Sequence, residues 1–116
     1  MAYDEALASR VRAALAARTD VDEKRMFGGL SFMVAGQMCC GVLKDELVVR
    51  VGPEYGDEAL AQPHTRPFDF TGRPSPGLVY VAPPALADDQ ALRSWVERAV
   101  AYVTTHPRAP RRSARR

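Results

Sequence analysis

The sequence predicts one α+β domain in which helices pack largely on one side of an antiparallel sheet. Apolar residues recur with helical spacing near both ends of the chain, whereas the middle alternates apolar and polar residues between short turns. A length of 116 residues suits one compact domain. The predicted element order is α-β-β-β-α-β-β-α within residues 1–106, and residues 107–116 form an arginine-rich segment that we predict to be disordered.

The first helix is predicted over residues 4–18. Its apolar residues lie at offsets of four, seven and eight and form one stripe: Leu7, Val11, Ala14 and Leu15. Asp4 and Glu5 lie near the positive end of the helix dipole and Arg18 near the negative end, which is the favourable placement for each charge.

Three antiparallel strands are predicted next. Alternating apolar residues indicate the first strand over residues 25–34, with an irregularity at Gly28-Gly29. A two-residue turn at Ala35-Gly36 leads into the second strand, residues 37–43. The third strand is predicted over residues 47–51. Its alternation puts Leu47, Val49 and Val51 on one face and Val48 and Arg50 on the other.

The second half of the chain is predicted to be less regular until its final helix. A short helix follows Pro53, and residues 62–77 form a long loop with a short edge strand at Phe68-Asp69-Phe70. Residues 78–81 form a last strand. The final helix is capped by Asp88, ends before Pro107 and carries an apolar stripe that includes Trp95, interpreted as core packing.

The two cysteines, Cys39 and Cys40, are adjacent, so we expect their side chains to point to opposite faces of a strand. Unpaired thiols and an acidic N-terminus that does not resemble a signal peptide predict a cytoplasmic protein without a membrane segment. No CxxC motif is present, and His64 and His106 are far apart. A thiol-dependent enzyme or redox protein using these cysteines stays open as the alternative function.

Charge is concentrated at the C-terminus. The formal net charge is +2, and it becomes −3 when the five arginines of the tail are set aside: Arg108, Arg111, Arg112, Arg115 and Arg116. Arginines in a flexible segment can neutralise nucleic-acid phosphates, but the segment has no aromatic residue on which a base could stack. The pattern predicts nonspecific backbone contact at most.

Several motifs together resemble the N-terminal domain of the TfoX/Sxy family of bacterial competence regulators. These motifs are MFGG at residues 26–29, MCCGVL at 38–43, VRVG at 49–52, RPFDFTGRP at 66–74 and VYV at 79–81. The resemblance runs from about residue 3 to residue 104. It implies an α+β domain similar to secretion-chaperone-like folds, with no known catalytic activity. Two-domain members carry a further DNA-binding-like domain where this sequence has the arginine-rich segment.

The sequence thus predicts a non-enzymatic binding or regulatory module with no catalytic residue, cofactor or metal. Its protein partner is unidentified, and a homodimer joined through a sheet edge is a further alternative. The candidate binding surface combines glycine, arginine and loop signals at strand ends and in the long loop: Arg25, Phe27, Gly28, Gly29, Arg50, Asp69 and Arg73.

Overall fold

The computed structural model describes residues 3–26, 28–69, 72 and 77–105. Helix α1, Glu5–Ala14, begins where the carboxylate of Asp4 accepts hydrogen bonds from the backbone N–H groups of Ala6 and Leu7. The helix ends earlier than predicted, because residues 15–17 form a turn before the sheet begins.

Four strands follow in place of the predicted three: β1 (Val21–Met26), β2 (Gly29–Val34), β3 (Gln37–Leu43) and β4 (Glu46–Arg50). The predicted strand over residues 25–34 is therefore wrong as a single element. Its irregularity is a reversal, since Gly28 has a φ of +78° and Met26 pairs with Gly29. The predicted turn at Ala35-Gly36 is confirmed, with both residues at positive φ.

The remaining elements are α2 (Gly56–Leu60), β5 (Thr65–Pro67), β6 (Leu78–Val81), a 3-10 helix (Pro83–Leu86) and α3 (Asp89–Thr105). The short strand lies just before the predicted Phe68-Asp69-Phe70 segment, of which Phe70 is outside the described residues. The cap at Asp88 is confirmed, because its carboxylate accepts a hydrogen bond of 3.1 Å from the backbone N–H of Gln90.

The six strands form one antiparallel sheet in the order β1-β2-β3-β4-β6-β5. Both edge strands carry features that hinder pairing with another chain. Strand β1 exposes four consecutive charged residues, Asp22, Glu23, Lys24 and Arg25, and β5 is three residues long and ends at Pro67.

The core lies between one face of the sheet and the helices. Leu7 and Val11 of α1, Ala59 of α2, and Val96 and Val103 of α3 belong to a single buried cluster with the helix-facing strand residues. The α+β class with helices on one side is therefore confirmed. A smaller cluster on the opposite face contains Val48, Phe68 and Tyr80.

Candidate functional site

Part of the predicted surface lies at the β1–β2 reversal. Arg25 is exposed near the end of β1, opposite Leu30. At Gly29 a Cβ atom would lie 2.2 Å from the carbonyl oxygen of Val42, so close approach of two strands requires glycine there. Gly28 faces open space and is required for its positive φ. Phe27 lies outside the described residues.

Another part of the predicted surface lies near the C-terminal end of β4. The Nε of Arg50 donates a 2.7 Å hydrogen bond to the carbonyl oxygen of Met38, and Arg50 pairs with Leu78 in the sheet. Asp69 is exposed and follows Phe68, whose N–H donates to the carbonyl oxygen of Leu78. Arg50 and Asp69 therefore lie on either side of the start of β6.

The strand register separates these two parts of the predicted surface. Gly29 lies beside the end of β3, level with the start of β4, whereas Arg50 is the last residue of β4. Four residues of extended chain correspond to about 13 Å along the strands. The described residues thus form two groups, Arg25 with Gly28 and Gly29, and Arg50 with Asp69. Arg73 and the five tail arginines lie outside the described residues.

The cysteines do not point to opposite faces, so that prediction is wrong. Phe32 pairs with Cys40 and the next residue, Met33, pairs with Met38, which leaves Cys39 as an extra residue in β3. Such a β-bulge interrupts the alternation of side chains. Both thiols consequently belong to the helix-side core, and neither has exposed area.

The chemistry of these thiols follows from their burial. A hydrogen bond with the Cys39 side chain and burial raise the pKa of the Cys40 thiol well above its ordinary value. A nucleophilic or metal-binding cysteine needs the thiolate form. The arrangement stabilises the neutral thiol of Cys40 and keeps both sulfur atoms away from solvent.

One row of paired residues crosses the sheet on the face away from the helices: Lys24, Ser31, Gly41, Val48, Tyr80 and Arg66. Arg66 lies 4.0 Å from the ring centroid of Tyr80 and forms an ion pair with Glu46. Beside Ser31 and Gly41 lies a cavity of about 20 Å³. That volume suits one water-sized group and is far below the size of a substrate pocket.

A larger groove, of about 260 Å³, lies between the segment around α2 and one face of α3, and no motif in the sequence predicted it. Its lining residues come from both sides: Tyr55, Gln62, Ala91, Ser94, Trp95 and Arg98. The signal in the sequence is the helical spacing of the last four, which places polar side chains beside Trp95 on one helix face. Trp95 is only partly buried, so it contributes to the core and also lines this groove.

Arg98 has a defined position at this groove. Its guanidinium carbon lies 3.8 Å from the centroid of the Tyr55 ring, within cation–π distance. In the part of the chain that the structure describes, no carboxylate lies within ion-pair distance of Arg98. The groove therefore presents a positive charge that forms no ion pair with a described acidic residue.

Within residues 3–26, 28–69, 72 and 77–105, no group of three or more histidine, cysteine or acidic side chains is arranged to hold a metal ion. The same residues include no helix that is long and apolar enough to span a membrane.

Comparison with known proteins identifies the family. No curated protein matches the chain, and no solved structure matches it. The model of the TfoX N-terminal domain family matches residues 13–103, a range that includes the whole sheet and all six groove residues. The chain therefore belongs to the TfoX N-terminal domain family.

Proposed function

We propose that this protein is a non-enzymatic regulatory or binding module that acts through protein contacts, while its arginine-rich C-terminal segment adds sequence-independent contact with nucleic acid. The observation that carries the nucleic-acid part is the distribution of charge. Five arginines lie within residues 108–116, and the formal charge of the protein without them is −3. A role in transcription or in the regulation of DNA uptake is consistent with membership of the TfoX N-terminal domain family.

Phosphate contact requires the tail, because the body of the protein repels a polyanion at long range. Five arginine–phosphate contacts with duplex DNA give a slope of about −4.5 in a plot of log affinity against log salt concentration. Affinity then falls about 500-fold between 50 and 200 mM salt.

The protein-contact part of the proposal uses the two ends of the sheet. One proposed contact group consists of Arg50, Asp69 and Arg73. Arg73 belongs to the same loop of the sequence as Asp69. Arg25, Phe27, Gly28 and Gly29 form the other. Because the register separates the groups by about 13 Å along the strands, a partner that touches both must cover a broad surface.

Fluorescence anisotropy with random-sequence duplex DNA tests the nucleic-acid part. The full chain is compared with a truncation after His106, and with a full-length variant in which the five tail arginines are glutamine. We expect the full chain alone to bind at about 50 mM salt and to lose most of its affinity at about 200 mM. Equal binding by all three proteins would place the contact in the body and contradict the proposal.

A variant with five tail lysines is the matched control. It keeps the charge of the tail and removes the guanidinium groups, so binding driven by charge alone is retained within a few-fold.

The protein-contact part is tested separately by partner capture with an Arg50→Ala, Asp69→Ala double variant. Unchanged capture by that variant and by Arg25→Ala would contradict the assignment of both surfaces.

The burial of the thiols counts against the alternative, a thiol-dependent enzyme or redox protein. Cys39 and Cys40 have no exposed area, and the pKa of Cys40 is raised. Reactive cysteines have a lowered pKa and partial exposure. The described geometry gives both cysteines a packing role.

A further inference from the structure

We propose that the groove between α2 and α3 binds a small organic acid, with the carboxylate on Arg98 and the apolar part of the ligand against Trp95. The proposal goes beyond the function above, because it depends on neither the tail nor a protein partner. A ligand in this groove bridges α3 and the segment that contains α2, so binding would stabilise their relative position.

The contacts of α3 with the segment 52–62 locate the groove on the molecule. Residues of α3 face the segment 52–62 along one line of the helix. At Gly52 a Cβ atom would lie 2.4 Å from the ring of Tyr102, so the two elements touch directly at this end. One turn further on, Arg98 covers the ring of Tyr55. Ala91, about two turns before Arg98 on α3, lines the open volume beside these contacts.

The position of Arg98 favours an anionic ligand. Its contact with Tyr55 restrains a long side chain before any ligand arrives, so less conformational freedom is lost on binding. The guanidinium group offers paired N–H donors whose geometry matches a carboxylate. No described acidic residue occupies those donors through an ion pair.

The charge of the lining favours a carboxylate over a phosphate. Among the described lining residues, Arg98 is the one charged side chain, and a monoanion matches a single positive charge. The adjacent helix α2 carries Asp57 and Glu58, whose negative charges repel a dianion more strongly than a monoanion. A carboxylate therefore suits the local charge better than a phosphate monoester.

The other lining side chains provide hydrogen bonds and an apolar surface. The hydroxyl group of Ser94, the amide group of Gln62 and the indole N–H of Trp95 make no side-chain hydrogen bond with other residues in the described ranges. The ring of Trp95 and the methyl group of Ala91 supply apolar area. A volume of about 260 Å³ lies just below the usual range of about 300 to 1,000 Å³ for ligand pockets. A single aromatic ring with a short acid chain fits this size.

Trp95 is the only tryptophan of the chain, so tryptophan fluorescence comes from one residue that lines the groove. The full-length protein is titrated with 3-phenylpropanoate and, as the neutral control, with 3-phenylpropanamide at constant ionic strength. We expect a saturable change in Trp95 emission with the acid, with a Kd of about 1 to 10 mM for a probe of this size. The amide should bind at least tenfold more weakly.

Two arginines of α3 give a matched pair of variants. Arg98→Gln should raise the Kd of 3-phenylpropanoate at least tenfold. Arg93→Gln should leave it unchanged, because Arg93 lies at a different site, between α1 and α3. Equal affinity for acid and amide, no saturable change, or an unaltered Kd in Arg98→Gln would overturn the proposal. Tighter binding of phenyl phosphate would overturn the assignment to a carboxylate. The acid–amide comparison uses the unaltered protein and remains decisive even if a variant unfolds.

Discussion

Two neighbouring valines of β4 show how different the two faces of the sheet are. Val49 faces the helices and belongs to the large core, whereas Val48 faces away and belongs to the small cluster with Phe68 and Tyr80. Both are almost completely buried. Their surroundings differ, because helices α1 and α3 cover the first face and partly buried side chains, Met38 and Leu43 among them, surround the second cluster.

The residues that stabilise the fold and the surfaces proposed for binding lie in different parts of the molecule. The helix-facing side contains both cysteines and the largest fully buried side chains of the described residues, so its residues act in packing. The surfaces that we propose for a partner or ligand lie elsewhere: at the two ends of the sheet, in the α2–α3 groove and in the arginine-rich tail. Mutations on the two faces should therefore affect stability to different extents.

The largest effect is expected at the centre of the helix-facing side. Phe32 has no exposed area and is among the largest fully buried side chains of the described residues. Phe32→Ala should lower the free energy of unfolding by about 3 to 5 kcal/mol, because it leaves a cavity that helix-packed neighbours cannot fill. Urea denaturation measures the change. A loss below 1 kcal/mol would contradict the view that the helix-facing core contributes more to the free energy of unfolding than the other face.

The two glycines of the β1–β2 reversal, Gly28 and Gly29, test the backbone geometry of the sheet, on which both faces depend. Gly29→Ala should cost about 2 to 3 kcal/mol, because the added methyl group meets the backbone carbonyl of Val42. Gly28→Ala should cost about 1 kcal/mol, since the methyl group has space and only the positive φ opposes it. Thermal and urea unfolding of both variants measure the difference. Equal losses would contradict the distinct roles assigned to these residues.

The β4 valines sharpen the comparison with one substitution at two adjacent sites. Val49→Ala should cost about 2 kcal/mol and Val48→Ala about 1 kcal/mol. The cavity near Val48 borders Met38 and Leu43, whose flexible side chains can move into the vacated space. A larger loss for Val48→Ala, measured by the same urea titration, would reverse the order of the two faces.

The smallest effects are expected from ion pairs on the two faces, Arg12 with Glu23 and Arg66 with Glu46. Glu23→Gln and Arg66→Gln should each cost at most about 1 kcal/mol, because the pairs are accessible to solvent and salt. The hydrogen bond from Arg12 lowers the pKa of Glu23 from its ordinary 4.5. Its contribution is thus present above pH 4.5 and is lost as the pH falls through the lowered value. An effect of Glu23→Gln that grows on acidification would contradict this assignment.

Local patterns in the sequence predict much of the fold. Helical spacing identifies α1 and α3, the Asp88 cap is visible three residues before an apolar run, and the Ala35-Gly36 turn follows from its length and glycine. Strand β1 was missed because an exposed edge strand needs no apolar alternation, and its charged residues are typical of a loop.

The candidate site was less predictable, since it depends on register and on long-range packing. The extra residue at Cys39 changes the face of a thiol without leaving any trace in the local pattern. The register also separates Gly29 from Arg50, although both belong to motifs that resemble the TfoX/Sxy family. The α2–α3 groove joins residues 29 to 43 positions apart. Its one signal in the sequence is the helical spacing of Trp95 and its polar neighbours on α3.

The central claim is that the helix-facing side is a closed core and that function lies on other surfaces. The reactivity of the native thiols tests this claim most directly. The full-length protein is mixed with Ellman's reagent at pH 7 and pH 9, with and without urea. We predict no modification of Cys39 or Cys40 in the native protein at either pH, and two thiols per chain after unfolding. Rapid modification of one thiol in the native protein at pH 7 would contradict the account and restore thiol chemistry as a function.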